Sequence, residues 1–274
     1  MNQPIWLTEQ DVVGLLDLRE AIAALEAALR QEAAGAAANM TKTLLQYGKA
    51  NLHAIGGKLG NLVGTKSWVH TEDGTCPLLL LWDAADGSLV AVIEAFALGN
   101  LRTGGISGVA TDWMAAPEAR AFAIIGTGKQ SLSQVGAVLA VRPIEELRVF
   151  SPRPESRAAF AAKAREEFAQ DVFARASRVA VDNIAGVQKL SREFITRYGS
   201  GDWSAVQPLS QLIAAGRKRA LGDDVSLFKA MGMGISDLAL GTELVRRARE
   251  RGVGRTLAQP KKAKPRLTRS KETT

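Results

Sequence analysis

Apolar positions recur at changing intervals along this chain, and each change of interval marks an element. Ile22, Leu25 and Leu29 fall three and four apart, which predicts a helix with one buried face, opened by Asp17 and stopped by Gly35. A shorter helix precedes it, reaching about Leu16, with Thr8 and Asp11 spaced as a capping box. Between Thr41 and Val69 the pattern breaks into the short apolar runs 44–45, 52–55 and 62–63, separated by Gly48, Gly56 with Gly57, Gly60 and Gly64. These read as strands joined by tight turns. Runs 78–82 and 89–93, split by Asp86-Gly87, read as a hairpin. The first hundred residues thus predict a helical start followed by a mostly antiparallel sheet. A segment rich in Gly, Ser and Ala follows over 98–111, with Arg102 near its start. A helix of that composition lets another backbone or a ligand come close, and Arg102 there either grips an anion with its planar fork or sits in a structural ion pair.

The stretch 119–142 then reads as strand, glycine turn and helix. Run 122–125 is apolar, Gly126-Thr127-Gly128 turns, and Leu132, Val135 and Leu139 resume the helical spacing. Such glycines bring backbone N–H groups up to a phosphate, and the helix N-terminus adds partial positive charge. Ser131 stands where a third glycine is usual, so an ordinary strand–helix turn is the competing reading. A second strand, 147–150, leads to Ser151 and Arg153 and a helix ending near Phe168. An acidic residue at that strand end would hold a ribose 2′-hydroxyl; Ser151, Arg153 and Arg157 instead suit a 2′-phosphate, or simply a solvated helix start. A third strand, 178–181, ends at Asp182, so the chain offers three strands and two helices here, one mononucleotide half. From Asn183 the pattern turns helical, and a last helix begins near Ser236 and Asp237 and runs through Leu240 and Leu244 to about Arg251. Trp203, Met231 and Met233 read as packing residues.

Composition narrows the setting. With 274 residues, 46% of them hydrophobic, the chain has the material for a sizeable core and two domains. Its longest apolar runs are far too short to span a bilayer. One cysteine, Cys76, excludes an internal disulfide, and two histidines make a His/Cys metal site an unfavoured expectation. The opening residues, with Glu9 and Asp11, lack a signal pattern, so the expected home is the reducing cytoplasm. The formal charge is +7, but residues 260–274 carry six basic groups and one acidic group. The basicity therefore belongs mainly to a tail, read as a solvated, disordered end; it has no aromatic residues, which argues against nucleic acid as partner.

Several stretches together carry a resemblance. Gly64-Thr65-Lys66, residues 101–111 from Leu-Arg-Thr to Val-Ala-Thr, Ile125-Gly-Thr-Gly-Lys-Gln130, and residues 227–237 are similar, in the same order, to the ornithine cyclodeaminase/mu-crystallin family. The resemblance implies an α/β fold of two lobes. An N-terminal α+β lobe with C-terminal helices (1–116 with 185–258) would dimerise and hold substrate. A truncated Rossmann-like parallel sheet (117–184) would be inserted into it, and 259–274 would be the basic tail. It implies a homodimer that uses NAD(P)(H), the arginines after the second strand slightly favouring NADP(H), to act on a small α-amino or imino acid. Lys66 matches the catalytic lysine, with a structural Lys66–carboxylate pair as the bland alternative. Arg102 matches a carboxylate-binding arginine, and Lys42 stands where a second one is common. Thr103, Gly126, Thr127, Gly128, Lys129 and Gln130 match cofactor-binding positions, and the reading of the second strand's end adds Ser151 and Arg153. The family's Val-Gly-x-Asp/Asn-x-Pro type motif is missing, and 167–176 resembles what normally follows it, which implies an internal deletion. The alternative is a member that dimerises and binds a small acid without nicotinamide chemistry.

Overall fold

The computed structural model describes residues 3–125, 130–150, 176–199, 201–219 and 225–261. After a short strand β1 (Ile5–Leu7), Thr8 opens α1 (Glu9–Leu15) with a full capping box: its hydroxyl accepts from the Asp11 amide and the Asp11 carboxylate accepts from the Thr8 amide. Asp17 and Glu20 repeat the device at α2 (Leu18–Ala33). The expected face of α2, Ile22, Leu25 and Leu29, is buried, and Gly35 at φ +76° ends it. Strands β2 (Ala37–Asn39), β3 (Thr43–Tyr47), β4 (Ala50–Leu59), β5 (Leu62–His70), β6 (Leu78–Asp83) and β7 (Leu89–Glu94) follow. They pair antiparallel in the order β7-β6-β5-β4-β2, with β3 beside the first half of β4, while β1 joins β7 in parallel. Gly48 and Gly60 make turns at φ +52° and +55°, as expected.

Gly56 and Gly57 do not. Strand β4 runs straight through them for ten residues. Their cause lies in the neighbouring strands: a methyl group on Gly56 would stand 2.3 Å from the Gly64 carbonyl oxygen of β5, and one on Gly57 2.4 Å from the Ala38 carbonyl oxygen of β2, with Ile235 of the last helix at 3.3 Å.

The small-residue segment is α3 (Phe96–Met114), and helix contact accounts for most of its glycines. A methyl group on Gly104 would stand 2.6 Å from the Ser133 carbonyl oxygen; on Gly105, 2.6 Å from Leu25; on Gly108, 2.7 Å from Ile22. The stripe thus seats α3 against α2 on one side and α4 (Ser131–Val141) on the other. Ala95 offers α3 no side-chain cap, and the Glu9 carboxylate fills that role from α1, accepting from the Phe96 and Ala97 amides at 2.6 and 2.8 Å. At the other end the buried Arg142 donates to the carbonyls of Thr111, Asp112, Ala115 and Ala116 and to the Asp112 carboxylate.

Strands β8 (Ala121–Ile125) and β9 (Glu146–Phe150) pair in parallel on either side of α4, so the strand and helix of the glycine unit are both present. Gly126–Lys129 and the stretch holding Ser151 and Arg153 lie outside the described residues. The helical reading from Asn183 onward needs correction. β10 (Ala176–Val181) pairs in parallel with β11 (Val206–Pro208) and β12 (Val225–Lys229), both drawn from that region. Residues 117–184 therefore share a sheet with residues beyond 185. Among the described residues, β10 forms no pair with β8 or β9. Helices α5 (Ile184–Leu190), α6 (Arg192–Tyr198) and α7 (Leu209–Ala214) connect these strands, and Trp203 packs on Tyr198 with ring centroids 5.5 Å apart. Helix α8 (Gly234–Arg251) starts two residues earlier than the pattern suggests, and β13 (Arg255–Thr256) closes the large sheet against β1. The main core lies between that sheet and α2, α3 and α8, with Leu25, Leu79, Leu81, Ile93, Leu98 and Leu238 fully buried.

Candidate active site

Strand alternation places Gly64 and Lys66 together on the buried face of β5. Lys66 is only 3% exposed, and its Nζ stands 2.5 Å from Oδ1 of Asp237, in the first turn of α8, which is fully buried. Arg102 of α3 approaches the same oxygen, with Nε 3.3 Å away. Gly99, one turn before Arg102, lies beside the ammonium: a methyl group there would make ordinary contact, 3.6 Å, with Lys66 Nζ. Neither Arg102 Nε nor Asp237 Oδ2 has a hydrogen-bond partner among the described residues. Two cations thus face one carboxylate with hydrogen-bonding capacity to spare. Burial pushes the Lys66 ammonium below the ordinary lysine range, the Asp237 carboxylate pulls it back up, and Arg102 and Lys42 push it down again.

Trp68, two residues along β5, forms a wall. Its ring centroid is 5.3 Å from Lys66 Nζ and 5.9 Å from Lys42 Nζ, and His53 of β4 stacks on it at 4.7 Å. Lys42, between β2 and β3, is exposed as a residue, yet the protein around its head group and the nearby Arg102 charge lower its pKa, with Asp237 opposing. The Thr103 hydroxyl turns inward on its own helix, donating to the Gly99 carbonyl at 2.7 Å, while its carbonyl accepts from the Gln134 amide group. Gln130 is the N-cap residue of α4, and its side chain makes no cap hydrogen bond to that helix. The predicted Lys66, Arg102 and Lys42 therefore share one electropositive neighbourhood, with Thr103 following Arg102 along α3. Gly126–Lys129, Ser151 and Arg153 fall outside the described residues.

Sequence reasoning misses two acids. Asp237 reads as part of the opening of the last helix; it faces inward, and the available signal is a lone acid flanked by Ile235 and Leu238. Asp182, at the carboxyl end of β10, is 3% exposed and takes the amides of Met231 and Gly232. Burial pushes its carboxyl up, while those amides and Arg102 pull it down. A cavity of about 450 Å³ adjoins this region, with Lys42, Asp182 and Gly232 on its wall beside Glu32 and Asn39.

Comparison with known proteins settles the lineage. The model of the ornithine cyclodeaminase/mu-crystallin family matches residues 2–189. The chain belongs to this family. An alanine dehydrogenase of Archaeoglobus fulgidus is 30% identical over 162 residues, 56% of this chain and 50% of that protein. A Delta(1)-pyrroline-2-carboxylate reductase of Bacillus cereus is 36% identical over 100 residues, 36% of this chain and 31% of its own length. The chain spans half or less of these curated relatives. Among solved structures, the Delta(1)-pyrroline-2-carboxylate reductase of Thermococcus litoralis, determined with NADH and L-proline, superposes with a TM-score of 0.79 at 21% identity, over 92% of this chain and all of the other. An archaeal alanine dehydrogenase dimer with bound NAD superposes with a TM-score of 0.78 at 19% identity, over 95% and 99%. At these identities the structures establish the two-lobed α/β fold of the family, including its Rossmann-type lobe. No described helix is long and apolar enough to cross a membrane.

Proposed function

We propose that this family member acts on a small α-amino or imino acid by hydride transfer at its α-carbon, as an imine reductase, amino acid dehydrogenase or cyclodeaminase. The observation that carries the reading is the pair Lys66 and Arg102, converging on one buried carboxylate with donors left over. Arg102, assisted by Lys42, takes the substrate carboxylate. The planar fork of Arg102 supplies two parallel hydrogen bonds, and Lys42 adds charge without that geometry. Lys66 exchanges a proton with the substrate nitrogen or with an attacking water, a role suited by a lysine whose pKa burial has lowered. A nicotinamide dinucleotide supplies the hydride when bound. In this reading the N-terminus of α4 at Gln130 faces its phosphates, Gly126, Thr127, Gly128 and Lys129 serve them by their match to the family's loop, and Thr103 stands on the adjoining helix. Ser151 and Arg153 favour a 2′-phosphorylated ribose. The named ligands of the structural relatives, NADH with L-proline and NAD, are of this chemical class.

The working unit in this reading is a homodimer, as one structural relative is described. In this reading the substrate lobe centres on residues 1–116 with 185–258 and the Rossmann lobe on 117–184, and the parallel sheet of β10, β11 and β12 crosses that boundary. A second reading rests on the missing Val-Gly-x-Asp/Asn-x-Pro type motif and the shortened lobe it implies: a member that dimerises and binds a small acid without nicotinamide chemistry. Titration of NADPH and NADH against the protein separates the two. Saturable micromolar binding with turnover of Delta(1)-pyrroline-2-carboxylate or a related imino acid supports the enzyme, and no binding up to millimolar cofactor removes it.

A further inference from the structure

The loop after β12 carries no charged side chain, yet it runs beside the guanidinium of the site. Gly232 sits at φ +86°, and a methyl group there would stand 3.0 Å from Arg102 Nη1 and 3.8 Å from Nη2 and Cζ. The loop backbone therefore lies against Arg102, whose ion-pair partner among the described residues is Asp237, at 3.3 Å. The loop itself is fixed by one side chain. Asp182 Oδ1 accepts from the Met231 amide at 2.8 Å, and Oδ2 accepts from the amides of Met231 and Gly232 at 3.0 and 2.8 Å. Three short charge-assisted contacts on a carboxylate that is 3% exposed make a rigid latch. The strand beneath is rigid too, since β10 is the middle strand of its sheet, and the Asp182 amide donates to the Lys229 carbonyl.

We infer that Asp182 is a positioning residue: by clamping Met231 and Gly232 it fixes the plane of Arg102 and so sets the geometry in which a substrate carboxylate is gripped. The inference rests on reading Arg102 as the carboxylate-binding group. Asp182 touches no reacting atom; it acts through the loop, and its charge also faces Arg102, which is why G232A, with that charge intact, accompanies D182N in the test. A helix-borne arginine with a long, flexible stem sweeps a wide arc, and the backbone wall confines it. The glycine is then required twice, by its positive φ and by the guanidinium beside it.

The test uses the full chain with two variants, D182N and G232A, and R102K as reference. D182N keeps the shape of the side chain but turns an NH₂ group toward backbone donors; G232A leaves the latch intact and pushes directly on Arg102. The first readout is the Arg102 Nε–H resonance in ¹⁵N-labelled protein, assigned by its loss in R102K. It is expected to shift and to exchange faster with water in D182N and in G232A, with thermal melting confirming a folded chain. The second is the affinity for L-proline, expected to fall about tenfold in both variants and further in R102K. An unchanged Arg102 resonance in either folded variant overturns the inference. Unchanged L-proline affinity in R102K overturns instead the reading of Arg102, and the resonance still decides the clamp.

Discussion

Lys66 Nζ and Asp237 Oδ1 meet at 2.5 Å across 171 residues of sequence, joining the middle of the large sheet to the first turn of the helix that crosses it. Asp237 balances two cations at once and is itself fully buried. Replacing it leaves both cations without a counter-charge, the costly half of breaking a buried pair. D237N is therefore expected to destabilise the fold by about 3–5 kcal/mol, measured by urea unfolding. A K66M/D237N double variant is expected to recover part of that loss, because the orphaned ammonium is gone.

The pH dependence of turnover follows from the same pair. Burial lowers the Lys66 pKa from 10.5, so its acid form disappears at a lower pH than an ordinary lysine's. In the reducing direction kcat/KM is expected to fall as pH rises through that lowered value. Lys42 and Arg102 both contribute to the lowering, so the K42M variant, altered at an exposed position, should move the break upward. Stability runs the other way. Between the lowered value and 10.5 the unfolded chain keeps a proton that folded Lys66 has given up, so stability rises with pH in that window. K66M should abolish the rise; a pH series of unfolding curves checks it.

Acid tells on a different network. Glu243 takes Arg246 side-on, at 2.7 and 2.9 Å, and Arg247 at 2.7 Å, which holds its carboxyl at about 2. Its folded pKa lies below its unfolded value of 4.5, so its contribution is complete above 4.5 and disappears as pH falls toward 2. The network is partly exposed, and about 1 kcal/mol is the expected size. E243Q should flatten the stability profile over that range relative to the parent chain.

Gly234 offers a steric prediction. A methyl group there would stand 1.8 Å from the Gly56 carbonyl oxygen, with no side chain to give way. G234A is expected to lift the start of α8 off β4 and cost about 3 kcal/mol or more. G48A, at a positive φ in open space, should cost only about 1 kcal/mol. Paired thermal melts distinguish them, and G234A should also lose turnover as Asp237 moves from Lys66.

The proposed homodimer has an address. Every residue of β3 is exposed, Leu44 and Leu45 at 54% and 59%, and among the described residues only one of its edges is paired. L44E/L45E is expected to convert the dimer to monomer in sedimentation equilibrium without lowering the melting temperature of the core by more than about 2 °C.

Much of this is legible locally. The boxes at Thr8 and Asp17, the hairpin at Gly87, and the strand and helix of the glycine unit depend on neighbours within a few residues, and the sequence displays them. Lys66 and Arg102 are legible through resemblance, and their closeness is what the coordinates add. What stays hidden depends on distant partners. Gly56 and Gly57 look like a turn until β5 and β2 are laid beside them. β11 is only three residues long and becomes a strand by pairing with β10. Asp237 sits where a helix-opening acid would, and only the buried ammonium opposite reveals its orientation. The small-residue stripe of α3 reads as open between a ligand and a helix; Gly104, Gly105 and Gly108 answer to helices.

Strand β1 lies between β7 and β13, so Ile5 has Ala91 on one side and Thr256 on the other. The first and last strands of the large sheet are thereby neighbours, although most of the chain separates them. None of β8 to β12 is a strand of that sheet. The pairing that holds the Lys66 platform is therefore complete without them.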